Sequence, residues 1–254
     1  MKIALSILEY EPDLCEHVDN IEESEALSSI LGLIGTGKIH RVHIDVMRTP
    51  MIPDRNKFSV KLICRLHGVL RKKIALAAHL MVQGPFPIVD GMNEFIAKED
   101  RAGMTLIIQR ESFRSEEETA EALNVLKEQG YKVGICLNLP TPYEDLTEKI
   151  VSNADTVLLM TVPMGKGGQK YGEDATERIA HFAQEHPNKT IEVDGGITPQ
   201  TIVEAMRAGA DVAVVGSFIT RNEDPEEAVL SLKRSIELEL QRIKGRADLS
   251  SHGQ

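Results

Sequence analysis

Cysteine is scarce: Cys15, Cys64 and Cys136 are the only three in 254 residues. They are widely spaced and odd in number, which excludes a disulfide framework and a thiolate zinc site and leaves free thiols. No apolar run approaches the ~20 residues that a membrane-spanning helix needs, and the N-terminus lacks the basic start and long apolar stretch of a signal peptide. Positive charge is in deficit as well. With 29 Lys and Arg against 39 Asp and Glu, the formal net charge is −10, which opposes non-specific binding to nucleic acid or to an anionic membrane while leaving room for a local cationic pocket. No dinucleotide fingerprint, linker, internal repeat or low-complexity segment interrupts the chain. These absences predict a cytoplasmic protein whose partner is a small molecule.

What is present is a 42% hydrophobic, 27% charged chain, the composition of a soluble globular protein with a sizeable core. Apolar, β-branched runs recur at Lys2 to Leu8, His40 to Val46, Ile74 to Met81, Met104 to Gln109, Val133 to Leu137, Thr156 to Val162, Thr190 to Val193 and Asp211 to Val215. Helical segments separate them, including Pro12 to Leu33, Ser59 to Leu70 and Val89 to Glu99. Another opens at Ser115 with a capping box completed by Glu118. Strict strand–helix alternation specifies parallel pairing, and eight units in about 220 residues fit a closed barrel better than an open sheet. The fold expected is α/β, a single (β/α)8 TIM barrel over residues 1–244. A disordered tail is expected over residues 245–254. The last helix, about Pro225 to Lys244, could close the barrel or support a homo-oligomer.

In such a barrel the chemistry lies at the C-terminal ends of the strands. His43 and Asp45, two apart, share one face of the second strand. His79 ends the third and Asp194 the seventh. Burying this many titratable groups without a compensating cation is costly, so the four predict one divalent metal ion, with Zn²⁺, Fe²⁺, Mn²⁺ and Co²⁺ all suited to two imidazoles and two carboxylates. Gly165, Gly167 and Gly168 follow the sixth strand, Gly195 and Gly196 the seventh, and Gly216 with Ser217 the eighth. Loops in these places form the usual phosphate cradle of this barrel. Met47, Met81 and Met160 offer a soft apolar lining suited to shielding an enediolate from water. Gly32-Leu33-Ile34-Gly35-Thr36-Gly37-Lys38 has P-loop spacing, but Ile39 replaces the required Ser or Thr and the run joins helix to strand, the inverse of the nucleotide-binding context.

The chain resembles the ribulose-phosphate 3-epimerases and their hexulose-phosphate relatives. The likeness is carried by Ser6-Ile7-Leu8, His43-Ile44-Asp45-Val46-Met47, His79-Leu80-Met81-Val82 and Gly134-Ile135-Cys136-Leu137-Asn138 with Thr141-Pro142. It continues in Met160-Thr161-Val162 with Gly165 and Gly167-Gly168-Gln169, Val193-Asp194-Gly195-Gly196-Ile197 and Val215-Gly216-Ser217. The motifs occur in family order over nearly the whole barrel. The resemblance implies that His43, Asp45, His79 and Asp194 bind the metal, that Asp45 and Asp194 are the catalytic acid–base pair, and that Ser6 lies near the sugar hydroxyls. The implied activity is inversion at C3 of D-ribulose 5-phosphate or a related ketose phosphate. A hexulose 6-phosphate such as allulose 6-phosphate is the alternative substrate, and a metal-dependent aldolase or decarboxylase and a non-catalytic sugar-phosphate-binding protein are the alternative classes.

Departures from the family pattern fall around the same site. After Met47 the usual Asp-Gly is replaced by Arg48-Thr49, Lys166 stands where the glycine loop carries an aromatic, Leu5 replaces a proline, and the customary His-x-Glu after the fourth strand is Gln109-Arg110-Glu111. Arg48 and Lys166 are therefore candidate specificity residues.

Overall fold

The computed structural model describes the backbone of residues 1–251 and the side chains of residues 1–245. Eight strands, β1 (Lys2–Ser6), β2 (Arg41–Met47), β3 (Ala75–Met81), β4 (Met104–Gln109), β5 (Lys132–Leu137), β6 (Thr156–Met160), β7 (Thr190–Asp194) and β8 (Val212–Val215), pair in chain order, and β1 closes on β8. Every pairing is parallel. The main helices outside them are Glu25–Gly35, Val60–Leu70, Phe86–Asn93, Glu116–Glu128, Glu148–Asn153, Ala175–Glu185, Thr201–Arg207 and Pro225–Ser251. The expected single (β/α)8 barrel is the observed fold. Among the described residues no helix is long and apolar enough to cross a membrane.

Strand parity divides the work. On β2, Val42, Ile44 and Val46 join the apolar layer between strands and helices, so Arg41, His43, Asp45 and Met47 face the barrel interior. On β3, Leu76, Ala78 and Leu80 pack outward, which turns Ala77, His79 and Met81 inward. Each outward Val, Ile or Leu contributes about 1.5–3 kcal/mol by burial, and slipping a strand by one residue would exchange its apolar face for its polar one. Sheet register and function are thus set by one alternation. Lower in the interior, Ala4, Ala77, Ile107, Cys136, Leu158, Val212 and Val214 close the space as a second apolar cluster.

Several boundaries differ from those read off the sequence. β1 stops at Ser6, because Leu8–Tyr10 turns as a 3-10 helix. The helix expected over Pro12 to Leu33 is split into Glu11–Glu16 and Glu25–Gly35. Ser24 causes the second start: its Oγ accepts from the Leu27 amide at 3.0 Å while itself donating to Asp13, which also accepts from the Ala26 amide. The helix expected over Val89 to Glu99 is instead Phe86–Asn93, followed by a 3-10 turn at Lys98–Gly103. There the Arg101 guanidinium donates to the carbonyls of Ile96 and Asn93, taking up acceptors freed by the helix end. The Ser115 cap forms, but Glu118 returns to the amide of Arg114 rather than to that of Ser115. The last helix continues through Gly245 to Ser251; a helical glycine costs only about 1 kcal/mol relative to alanine, too little to stop it. The disorder expected of the tail falls, for residues 252–254, outside the described residues.

Candidate metal and phosphate site

Register assembles the four candidate ligands. Asp45 lies opposite His79 across β2 and β3, and Met160 lies opposite Asp194 across β6 and β7. His43 and His79 are fully buried and Asp45 nearly so, while Asp194 is half-buried at the pocket floor. One ligand atom from each of the four can be chosen so that all lie within 4.8 Å of one another. Asp45 Oδ1 stands 3.2 Å from His43 Nε2 and 3.5 Å from His79 Nδ1. Yet both ring nitrogens of His43, and Nδ1 of His79, lack a hydrogen-bond partner. Buried imidazole nitrogens are rarely left so. Lone pairs converging on two carboxylates are what a divalent cation would satisfy, and the donor set suits a borderline ion.

The two carboxylates are driven apart in proton affinity. Burial by itself raises the Asp45 carboxyl, but the imidazoles of His43 and His79 beside it outweigh burial and hold the group well below the usual carboxylate range. Burial, reinforced by the negative charge of Asp45, pushes Asp194 well above that range. Burial also lowers His43. Ser6 Oγ donates to Asp45 Oδ2 at 2.7 Å, fixing the carboxylate plane.

Above this floor opens a pocket lined by Ser6, Met47, Met81, Met160, Lys166 and the glycines after β6, β7 and β8, with Ser217. Met47 and Met81 pack with Ile52 and Met164 into an apolar wall. Gly195 and Gly196 are required by shape and by backbone. Both have positive φ, and a Cβ on either would come within 2.3 Å of Val162 or 2.2 Å of the Tyr171 amide nitrogen. Thr161 Oγ1 secures the same turn by donating to the carbonyls of Asp194 at 2.8 Å and Gly195 at 2.5 Å. The turn is therefore a fixed concavity of backbone beside Asp194.

Of the residues expected at the site, all line this pocket or, for His43 and His79, join the buried cluster at its floor, with the exception of Arg48. Its guanidinium donates to the carbonyls of Met47, Lys57 and Phe58 and clips the loop after β2. Two residues named in the sequence motifs received no role there. Thr161 is one, and Gln109 the other: it is fully buried and its Oε1 lies 2.9 Å from His79 Nε2. The inward parity of β4, which carries Thr105, Ile107 and Gln109 on one face, was the signal for the second.

The description "Ribulose-phosphate 3 epimerase family" belongs to a family model that matches residues 22–220. The chain is 32% identical over 200 residues to the ribulose-phosphate 3-epimerase, cytoplasmic isoform, of Oryza sativa subsp. japonica, covering 77% of this chain and 82% of that one. It is 29% identical to the ribulose-phosphate 3-epimerase of Bacillus subtilis over 83% of this chain and 93% of the relative. Among solved structures, 3-hexulose-6-phosphate synthase from Salmonella typhimurium superposes with a TM-score of 0.65 at 16% identity, over 94% of this chain and 100% of that one, a likeness of fold. The matched span contains the candidate ligands on β2, β3 and β7 and the glycine turns after β6, β7 and β8, and on these grounds the chain belongs to the ribulose-phosphate 3-epimerase family.

Proposed function

We propose that the chain is a metal-dependent ketose-phosphate 3-epimerase that interconverts D-ribulose 5-phosphate and D-xylulose 5-phosphate. The observation that carries this reading is the pair Asp45 and Asp194, carboxyls from β2 and β7 that meet His43 and His79 in one cluster at the floor of the glycine-lined pocket. Inversion at a carbon next to a ketone needs a base on one face and an acid on the other, and groups whose environments separate their proton affinities are suited to those roles. One of the two carboxyls takes the C3 proton as base, and the other, in its acid form, returns one to the opposite face of the enediolate. Proton exchange with solvent, or a turnover in the reverse direction, returns both carboxyls to their starting states. Ser6 holds Asp45 in place by its hydrogen bond. Met47, Met81 and Met160 exclude water from the reacting carbon, and the backbone at Gly167, Gly168, Gly195, Gly196 and Gly216, with Ser217, receives the phosphate. A divalent cation held by His43, Asp45, His79 and Asp194 would stabilise negative charge developing on the substrate oxygens. The relatives' names support D-ribulose 5-phosphate as the first substrate, and the rice isoform's name supports a cytoplasmic setting.

Proton exchange at C3, followed by NMR in deuterated water over a panel of ketose phosphates, tests the reading. Metal-dependent deuterium uptake with formation of the C3 epimer is expected, and carbon number is conserved, unlike in an aldolase or decarboxylase. No exchange on any member by metal-loaded protein would overturn it. Lys166 lines the pocket and Arg48 does not, so substrate preference is assigned to Lys166. Lys166→Ala should reorder the panel, whereas Arg48→Ala should leave the order unchanged and loosen the loop after β2.

A further inference from the structure

The end of β4 carries a polar chain that reaches His79 from behind. Gln109 presents its Oε1 to His79 Nε2 at 2.9 Å and donates from Nε2 to Glu111 Oε2 at 3.1 Å. The other oxygen of Glu111 accepts from the Asn138 amide at 2.8 Å and from Thr141 Oγ1 at 2.5 Å. Asn138 in turn accepts from the amide of Met164, at the start of the glycine loop after β6, at 2.9 Å.

The direction of this chain can be worked out from chemistry. A carboxylate only accepts hydrogen bonds, so Glu111 must face the NH2 side of the Gln109 amide. Reversing that amide would set two oxygen acceptors against each other. The amide oxygen is therefore the atom turned to His79, and an oxygen can only accept. His79 must carry its proton on Nε2. A neutral imidazole has a single ring proton, which leaves Nδ1 as a bare lone pair, and Nδ1 is the nitrogen that points to Asp45 and has no hydrogen-bond partner.

We propose that Gln109, oriented by Glu111, is a positioning residue that fixes the tautomer of His79 and keeps Nδ1 available as a donor in the carboxylate cluster. The inference rests on the metal-site reading only for its consequence; the tautomer itself is a property of the metal-free protein. A second side chain can do the same work. Neutral histidine at position 109 offers one acceptor nitrogen and one N–H donor, as the amide does, whereas leucine offers neither.

Long-range ¹H–¹⁵N correlation spectra of metal-free protein labelled at histidine nitrogens read the tautomer directly. In the unsubstituted protein His79 is expected as the Nε2–H form alone. Gln109→Leu should give a mixture of both forms and bind Co²⁺ about 10- to 100-fold more weakly in competition with a chromophoric chelator. Gln109→His should restore both the single tautomer and the affinity. Glu111→Gln, which permits the amide at 109 to reverse, should also admit the second form. A proton on Nδ1 of His79 in the unsubstituted protein overturns the proposal even if every variant fails to fold, as does an unchanged tautomer with unchanged affinity in Gln109→Leu. Protein that shows the Nε2–H form and its loss in Gln109→Leu, but binds no metal, upholds the positioning role and sinks the metal reading instead.

Discussion

The two ends of the barrel interior bury charge on the same two strands and handle it in opposite ways. At the N-terminal end, Arg41 of β2 donates to Glu192 of β7, and Thr156 Oγ1 donates to the second carboxylate oxygen at 2.8 Å. Burial lowers the guanidinium to about 10, which still leaves it charged at neutral pH, so the cation is built in. Its Nε is buried without a partner. At the C-terminal end, β2 supplies His43 and Asp45 and β7 supplies Asp194, and among the described residues the ion-pair partners of Asp45 are His43 and His79 rather than a Lys or Arg. Three imidazole nitrogens are left without partners and one carboxyl is pushed towards its protonated form. The lower end is complete by itself and serves stability. The upper end is complete only with something added.

That contrast can be broken from either side. Asp194→Asn should lower C3 exchange about 10³-fold, the scale of a lost acid–base group, while metal-free protein unfolds at the same or a higher temperature, because the amide replaces a buried carboxyl that ionises only at a cost. Arg41→Met should act in the other direction. It strands the Glu192 carboxylate and should cost about 3–5 kcal/mol in urea unfolding, with turnover per folded molecule unchanged; adding Glu192→Leu should recover most of the loss. If Arg41→Met depressed turnover as deeply as Asp194→Asn without loss of stability, the division of labour between the two ends would be wrong.

Much of this was legible in the sequence because the same alternation that makes a strand amphipathic also lists what faces inward. His43 and Asp45 could be placed together from spacing alone, and the glycine turns announced themselves by position after the last three strands. What the sequence did not carry was contact between elements. Arg48, read as a candidate for substrate choice, is occupied by three carbonyls of its own loop, and a backbone path that curls around a guanidinium leaves no periodic trace. Ser6, expected near the sugar hydroxyls, lines the pocket and also donates to Asp45, a bond set by the register of β1 on β2. The break at Ser24 depended on Asp13 reaching across eleven residues.

Two smaller effects sharpen the comparison. A divalent metal at 100 times its Kd should stabilise the protein by about 2.7 kcal/mol, and the increment should survive in Arg41→Met, since the lower pair has no part in binding. It should shrink in His79→Ala. Metal titrations followed by thermal unfolding would separate these cases, and an increment lost in Arg41→Met would mean that the two ends are coupled through β2 and β7.

The smallest effect is a pH dependence in metal-free protein. His43 is lowered from its ordinary value of 6.5, first by burial. Between its folded and unfolded values the unfolded chain binds the proton more readily, so this group makes stability fall as pH drops below about 6.5. Asp194 works against it: raised when folded, it makes the native state the better proton binder, and its contribution is lost as pH rises through the folded value. Asp45, held low, loses its contribution only at more acidic pH, as the pH falls through the unfolded carboxylate value and below. Removing the opposing group isolates the histidine. In Asp194→Asn, urea midpoints should therefore decline steadily from pH 7 to pH 5, and His43→Gln added to that background should flatten the decline. A rise in stability over the same range would mean that His43 gains a proton on folding, and with it that the cluster already holds its own cation.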